Sequence, residues 1–155
     1  MLKADLSRKK ALVTGASSGI GKAIASLLAE CGATVAVNHL QEDARGPATV
    51  EALNARGFQA LSAPGDVSSV DSAESMVSNA IDGLGGLDIL INNAGTAATT
   101  EPIPFENLDM ITEERWQQII HTNVIGPFRC SRMAVSTLKE RKGCIVNTAS
   151  IAGIG

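Results

Sequence analysis

A chain of 155 residues, 45% hydrophobic and 19% charged, is long and apolar enough to bury a core, so neither disorder nor a disulfide-stapled miniature explains it. Lys plus Arg number 13 against 16 for Asp plus Glu, a net charge of -3, and no basic tract marks a nucleic-acid partner. Three scattered cysteines (Cys31, Cys130, Cys144) without a CxxC pair suit reduced thiols, and two histidines (His39, His121) leave a metal site little to work with, so none is expected.

Apolar β-rich runs alternate with helical stretches, the pattern of βαβ units around a parallel sheet. Residues 11–13 (ALV) predict a short buried strand ending at Thr14-Gly15. Ile20, Ala23, Ile24, Leu27 and Leu28 then recur at helical spacing until Gly32 stops the helix. Residues 34–38 (TVAVN) predict a second strand, followed by a helix from Pro47, a favoured first helical residue, to Arg56 before Gly57. A third strand over 58–63 closes on Pro64-Gly65-Asp66. A helix over 70–82 carries Ala73, Met76, Val77, Ala80 and Ile81 on one face, and a fourth strand over 87–91 runs into Asn92-Asn93-Ala94-Gly95.

Residues 96–108 form the one long loop, rich in Thr, Ala and Pro and a natural place for substrate contacts. Thr112, followed by Glu113 and Glu114, predicts a capped helix start with acids in its first turn, and that helix should run to about Leu138. On it, Trp116, Ile119 and Ile120 read as core or subunit contact. A fifth strand over 144–147 leads into Thr148-Ala149-Ser150. The N-terminal MLKADLSRKK has no apolar signal core and no stretch approaches a membrane span, so the sequence reads as a soluble, cytoplasmic protein without a membrane partner.

The turn Thr14-Gly15-Ala16-Ser17-Ser18-Gly19-Ile20-Gly21 lies between the first strand and the first helix. There glycine serves a tight turn, close approach of backbone to a diphosphate, and helix–sheet packing, while the helix N-terminus aims free amides at phosphate. Its Gly-x3-Gly-x-Gly spacing differs from Gly-x-Gly-x2-Gly, and Lys22-Ala23 does not complete a P-loop. A glycine-rich turn with no ligand is the plainer alternative. Asn123 permits an argument from covalent structure. Four residues later stands Pro127, which has no N–H to give the Asn123 carbonyl, so the helix should kink and leave that carbonyl free for a water. Against it stands a merely kinked helix with a solvated Asn123.

These residues together resemble the short-chain dehydrogenase/reductase family. Its TGxxxGxG pattern is matched by Thr14, Gly15, Gly19 and Gly21, its Asp after the third strand by Asp66-Val67, and its NNAG by Asn92-Asn93-Ala94-Gly95. The family's helix Asn is matched by Asn123 and its Ser after the fifth strand by Ser150, so the motifs cover nearly the whole chain. The resemblance implies a Rossmann-like, doubly wound parallel sheet, five strands of an expected seven. It implies one dinucleotide-binding domain over 1–155, incomplete at its C-terminus. Gly15, Ser17, Ser18, Gly19, Ile20 and Gly21 would serve the diphosphate and neighbouring ribose, Asp66 the adenine amino group, and Val67 the ring. Asn93, Ala94 and Gly95 would let the cofactor pass close to backbone, Asn123 would hold a relay water through its carbonyl, and Ser150 would hydrogen-bond the reacting oxygen. Asp66 as a mere turn cap, and Ser150 as a mere turn residue, are the plain alternatives.

NAD-preferring relatives carry an acid where this sequence has His39, which favours NADP over NAD; Arg45 is the nearby base that could reach a phosphate, and an exposed loop His39 is the bland alternative. The family's general acid is a Tyr followed at Tyr-x3-Lys spacing by Lys, both downstream of the Ser, whereas this sequence contains no tyrosine. The expectation is therefore a fragment of a longer NAD(P)-dependent oxidoreductase acting on a carbonyl or secondary alcohol, of ketone or 3-oxoacyl type, homodimeric or homotetrameric when whole. An inactive nucleotide-binding or assembly module is the rival. A Rossmann-like methyltransferase would need an acid ending the second strand, where His39 stands.

Overall fold

The computed structural model describes residues 4–99, 103–104 and 106–150. Its strands are β1 (Lys10–Val13), β2 (Thr34–His39), β3 (Ala60–Pro64), β4 (Ile89–Asn92) and β5 (Cys144–Asn147). They pair in parallel in the order β3-β2-β1-β4-β5. The helices are α1 (Gly19–Glu30), α2 (Arg45–Ala55), α3 (Val70–Leu84), α4 (Glu113–Ile120) and α5 (Gly126–Arg141).

The apolar runs sort themselves by the strand's period of two. Leu12, Ala36 and Leu90 pack with Met76, Val77, Cys130 and Leu138 of α3 and α5. Their neighbours Ala11, Val13, Val35, Val37 and Ile91 pack with Ala25, Ala29 and Leu53 of α1 and α2. Each of β1, β2 and β4 therefore feeds two cores, one on each face, which is why its residues are apolar in succession rather than in alternation, whereas β5 is exposed along its length. The fold is α/β and Rossmann-like, a sheet sandwiched between helix layers. Because β1 and β4 are neighbours whose chains leave to opposite sides, a crevice opens at their carboxyl ends.

Element boundaries differ from the sequence reading where side chains intervene. Helix α2 begins two residues before Pro47, because the Asp43 carboxylate accepts the Arg45 N–H at 3.1 Å and starts the turn early. Strand β3 begins at Ala60 rather than 58, where Asn54 brackets Ala60 N–H and C=O at 2.8 and 3.1 Å. Strand β2 extends one residue further, through His39.

The helix expected over 112–138 is not continuous. A π turn, His121–Ile125, separates α4 from α5, and the Gly126 N–H donates to the His121 carbonyl five residues back. Pro127 lacks the donor that an α-helix needs at that point, and the wider turn absorbs the defect. Thr112 caps α4 by accepting the Arg115 N–H. Trp116 and Ile120 lie on its outer surface, exposed at 56% and 41%, so neither belongs to the core. No helix among the described residues is long and apolar enough to cross a membrane.

Candidate functional site

The carboxyl end of β1 is stitched to that of β4. The Thr14 hydroxyl accepts the N–H groups of Asn93 and Ala94, both at 2.9 Å, and donates to the Ile91 carbonyl at 3.3 Å. The Asn93 amide donates back to the carbonyls of Thr14 (3.0 Å) and Gly15 (3.4 Å). The turns are so close that a Cβ on Gly15 would stand 2.8 Å from Ala94 Cα. One on Gly21 would stand 2.3 Å from the Gly15 carbonyl oxygen, so this glycine lets α1 start tight against the turn.

A cavity of about 400 Å³ lies over these strand ends. Gly15, Ser17 and Ser18 form its floor, Asp66 and Val67 one wall, and Asn93, Ala94 and Gly95 another. Gly19, Ile20 and Gly21 do not line it. Gly19 opens α1 with a positive φ of 54° and nothing within 4 Å of where a Cβ would be, Ile20 is exposed, and Gly21 is buried beneath the turn. The first turn of α1 carries no acidic residue, so its exposed amides offer a positive end to an anion.

The end of β2 holds more than the sequence suggested. His39 is buried, 4% exposed, with Nδ1 2.8 Å from the Leu40 carbonyl and Nε2 2.6 Å from the Ser62 hydroxyl, and it packs beneath Gly46 of α2. The exposed-loop reading of His39 is therefore wrong, because α2 closes over the ring. Charge at this mouth comes instead from Asp43 and Arg45, joined by two bonds of 2.8 and 2.9 Å. Hydrogen bonds from Arg45 and then from Ser17 hold the Asp43 carboxyl well below the usual carboxylate range.

Asp66 is half-buried, and its Oδ1 accepts the Ser68 N–H at 2.8 Å, so the carboxylate does cap its turn while the residue lines the cavity. Val67 beside it is buried, and Gly126 packs against its side chain. Arg129 of α5 holds the turn from behind by donating to the Val67 carbonyl at 3.2 Å and to that of Ser68. Asn123 sits in the π turn outside the cavity lining. Its amide exchanges two 2.8 Å bonds with the N–H and C=O of Thr96, a cavity residue. It is not merely solvated; it anchors the start of the loop over 96–108, part of which lies outside the described residues. Ser150, exposed beyond β5, does not line the cavity either.

Sequence reasoning missed Asn38, Asp43, Gln118 and Thr122, all lining the cavity. Only Asn38 carried a signal: a polar residue ending the apolar run TVAV must find partners when buried. Burial pushes the Cys130 thiol up to about 11, which makes it packing rather than a nucleophile.

The model of the short chain dehydrogenase family matches residues 9–155. The chain belongs to the short-chain dehydrogenase family. The 3-oxoacyl-(acyl-carrier-protein) reductase FabG of Staphylococcus aureus is 39% identical over 147 residues, 94% of this chain but 57% of its own length. An oxidoreductase of Thermotoga maritima is 41% identical over 147 residues, 94% of this chain and 55% of its own. The short-chain dehydrogenase of Burkholderia cenocepacia J2315, solved in complex with NADP, superposes with a TM-score of 0.83 at 35% identity over 94% of this chain and 57% of that one. A 7α-hydroxysteroid dehydrogenase solved with NADH and 7-oxo glycochenodeoxycholic acid superposes with a TM-score of 0.87 at 30% identity, covering 99% of this chain and 57% of that one. The chain thus spans little more than half the length of these relatives.

Proposed function

We propose that these residues form the dinucleotide-binding part of an NAD(P)-dependent oxidoreductase that interconverts a carbonyl and a secondary alcohol, of ketone or 3-oxoacyl type. The observation that carries this reading is the cavity at the β1/β4 crevice, where the glycine turn, the Asp66 turn and Asn93-Ala94-Gly95 converge. The residues fit a dinucleotide: an acid-free helix N-terminus with open space at Gly19 for the diphosphate, and a carboxylate oxygen at Asp66 for the adenine amino group. Bound there, the nicotinamide group supplies or accepts hydride. Val67 packs beside the adenine, Asn93 and Ala94 keep the wall close, and Asn123 holds the Thr96 segment at the cavity's edge. The Asn123 carbonyl, opposite the missing N–H of Pro127, holds the relay water. Ser150 donates its hydroxyl hydrogen to the reacting oxygen, and the family's Tyr and Lys are not among these residues.

NADP is the preferred cofactor in this reading. His39 puts no acid at the end of β2 to repel a 2′-phosphate, and the charge of Asp43 is paired with Arg45, which keeps further guanidinium donors at the mouth. The resemblance to a protein solved with NADP supports the same choice. The outer stripe Trp116, Ile120, Val124 and Phe128, exposed at i to i+4 spacing, serves as the subunit contact of a homodimer or homotetramer. The location is cytoplasmic and the substrate a small molecule.

Calorimetric titration of the intact protein with NADP and NAD tests the reading. NADP should bind more tightly. Arg45→Ala should weaken NADP binding by about tenfold or more while sparing NAD, and Asp43→Asn should widen the preference. No binding of either dinucleotide would leave an inactive assembly module as the better reading. Tighter binding of NAD would overturn the cofactor choice alone.

A further inference from the structure

Asn38, next to last in β2, joins two of the turns that line the cavity. Its side chain is buried, 2% exposed, at the cavity floor. On one side its Oδ1 accepts the Gly15 N–H at 3.0 Å, and its backbone carbonyl accepts the Ala16 N–H at 2.8 Å. On the other side its Nδ2 donates to the carbonyls of Ala63 (3.0 Å) and Gly65 (2.9 Å), the latter one residue before Asp66. Both amide protons and the amide oxygen are used, so the partners fix which way the amide points. A carboxylate of the same shape would face two carbonyl oxygens with no proton to give them. Of the residue types this size, only the amide satisfies both turns at neutral pH.

We propose that Asn38 is a positioning residue that sets the separation between the glycine turn and the Asp66 turn, and so decides how well one nucleotide spans both. The inference rests on the dinucleotide reading above. It assigns specificity for the adenine–diphosphate half of the ligand to a residue buried beneath the site, acting through Gly15 and Gly65. The Asp66 turn is held besides by the Gly65 N–H donating to the His39 carbonyl at 2.8 Å, by the Ser72 hydroxyl accepting the Asp66 N–H at 2.8 Å, and by Arg129, but among these only Asn38 also bonds the glycine turn.

ADP is the probe, because it carries the adenine and the diphosphate and nothing of the nicotinamide half. Binding is measured by calorimetry on the intact protein at pH 8 and pH 5.5. Asn38→Ala should weaken ADP about tenfold at both pH values, since it leaves the Gly15 N–H and two buried carbonyls unpaired. Asn38→Asp should lose at least as much at pH 8 and recover most of it at pH 5.5. Burial and the facing carbonyls favour a protonated carboxyl, whose O–H can replace the amide donor. The titratable and charged groups that face Asn38 are His39 beside it, Asp66 on the adjoining turn, and Asp43 with Arg45 at the mouth. Their contribution is read from the unsubstituted protein and subtracted. A purely structural role would lower Tm in both variants and leave the ADP affinity of the folded protein unchanged and flat with pH.

If both variants bind ADP like the parent while Gly19→Val loses it, Asn38 positions nothing and the dinucleotide reading survives. If the parent itself binds no ADP, the reading and the inference fall together. Should neither variant fold, the parent decides by NMR. On titration with ADP the Asn38 side-chain amide should shift together with the Gly15 and Gly65 amides at one common Kd. A side-chain amide that stays still while those two move overturns the proposal.

Discussion

Three glycines of one turn do three separate jobs, and substitution tells them apart. Gly15 and Gly21 are pressed against other backbone, whereas the space where a Gly19 Cβ would point is open. A side chain at 19 therefore meets no protein atom and, on the proposed dinucleotide reading, would meet ligand instead, apart from the strain of a positive φ, about 1–2 kcal/mol for an L residue. Gly19→Val should accordingly keep a cooperative fold of slightly lower Tm and abolish dinucleotide binding. Gly21→Ala places a methyl 2.3 Å from the Gly15 oxygen and 2.5 Å from Asn93 Nδ2, so α1 must move off the turn. Overpacking of that kind costs about 1–3 kcal/mol. It should appear first as a lower Tm and only then as weaker binding. Thermal melts and calorimetry on the pair check this; unchanged affinity in Gly19→Val would mean the phosphates lie elsewhere.

At the scale of elements, the broken helix α4–π–α5 shows what a covalent rule fixes and what it leaves open. Pro127 guaranteed a defect after Asn123, and the defect is there. That the Asn123 amide would turn back to grip Thr96 depends on a segment 27 positions away in sequence, and nothing local records it. The same division runs through the sheet. The central strands β1, β2 and β4 were legible because each apolar run is buried on both faces. Their ends were misjudged where Asp43 and Asn54 made side-chain to backbone bonds that start a helix early or a strand late. His39 lines the cavity at the end of β2, and only the packing of α2, through Gly46, shows that its ring is covered. Removing the grip should have a local effect. Asn123→Ala deletes two bonds of the kind that contribute about 0.5–1.5 kcal/mol each. The Thr96 amide, which has Asn123 Oδ1 as its acceptor, should exchange with solvent at least about tenfold faster while amides of β1 stay protected. Equal protection of Thr96 in both proteins would show that other contacts hold the segment.

The whole molecule is closed at the end opposite the crevice by one buried acid. Asp88, 4% exposed, precedes β4 and draws β1, β4 and α5 together. Its Oδ2 accepts the Lys10 N–H at 2.9 Å and the Arg141 guanidinium at 3.1 Å, and Lys9 Nζ lies 3.6 Å from Oδ1. Burial alone would raise its pKa, but the Arg141 bond, the Lys10 amide and the charges of Arg141 and Lys9 outweigh that and lower it. The sign of the consequence follows from linkage. A carboxyl with a folded pKa below its unfolded value of about 3.9 binds protons more readily when unfolded. Its contribution is therefore complete above about pH 4 and is lost as the pH falls through the folded pKa. Asp88→Asn keeps an acceptor for Lys10 but leaves Arg141 without its anion, at a cost of about 1.5–3 kcal/mol near neutral pH. Urea unfolding of the two proteins from pH 7 to pH 3 should show curves that converge in acid: the parent loses stability below pH 4, and the variant, already weaker, loses less. Parallel curves would mean that the acid-labile carboxylate lies elsewhere, and that the sheet's closed end is held by packing of Leu87 and Leu138 rather than by this charge.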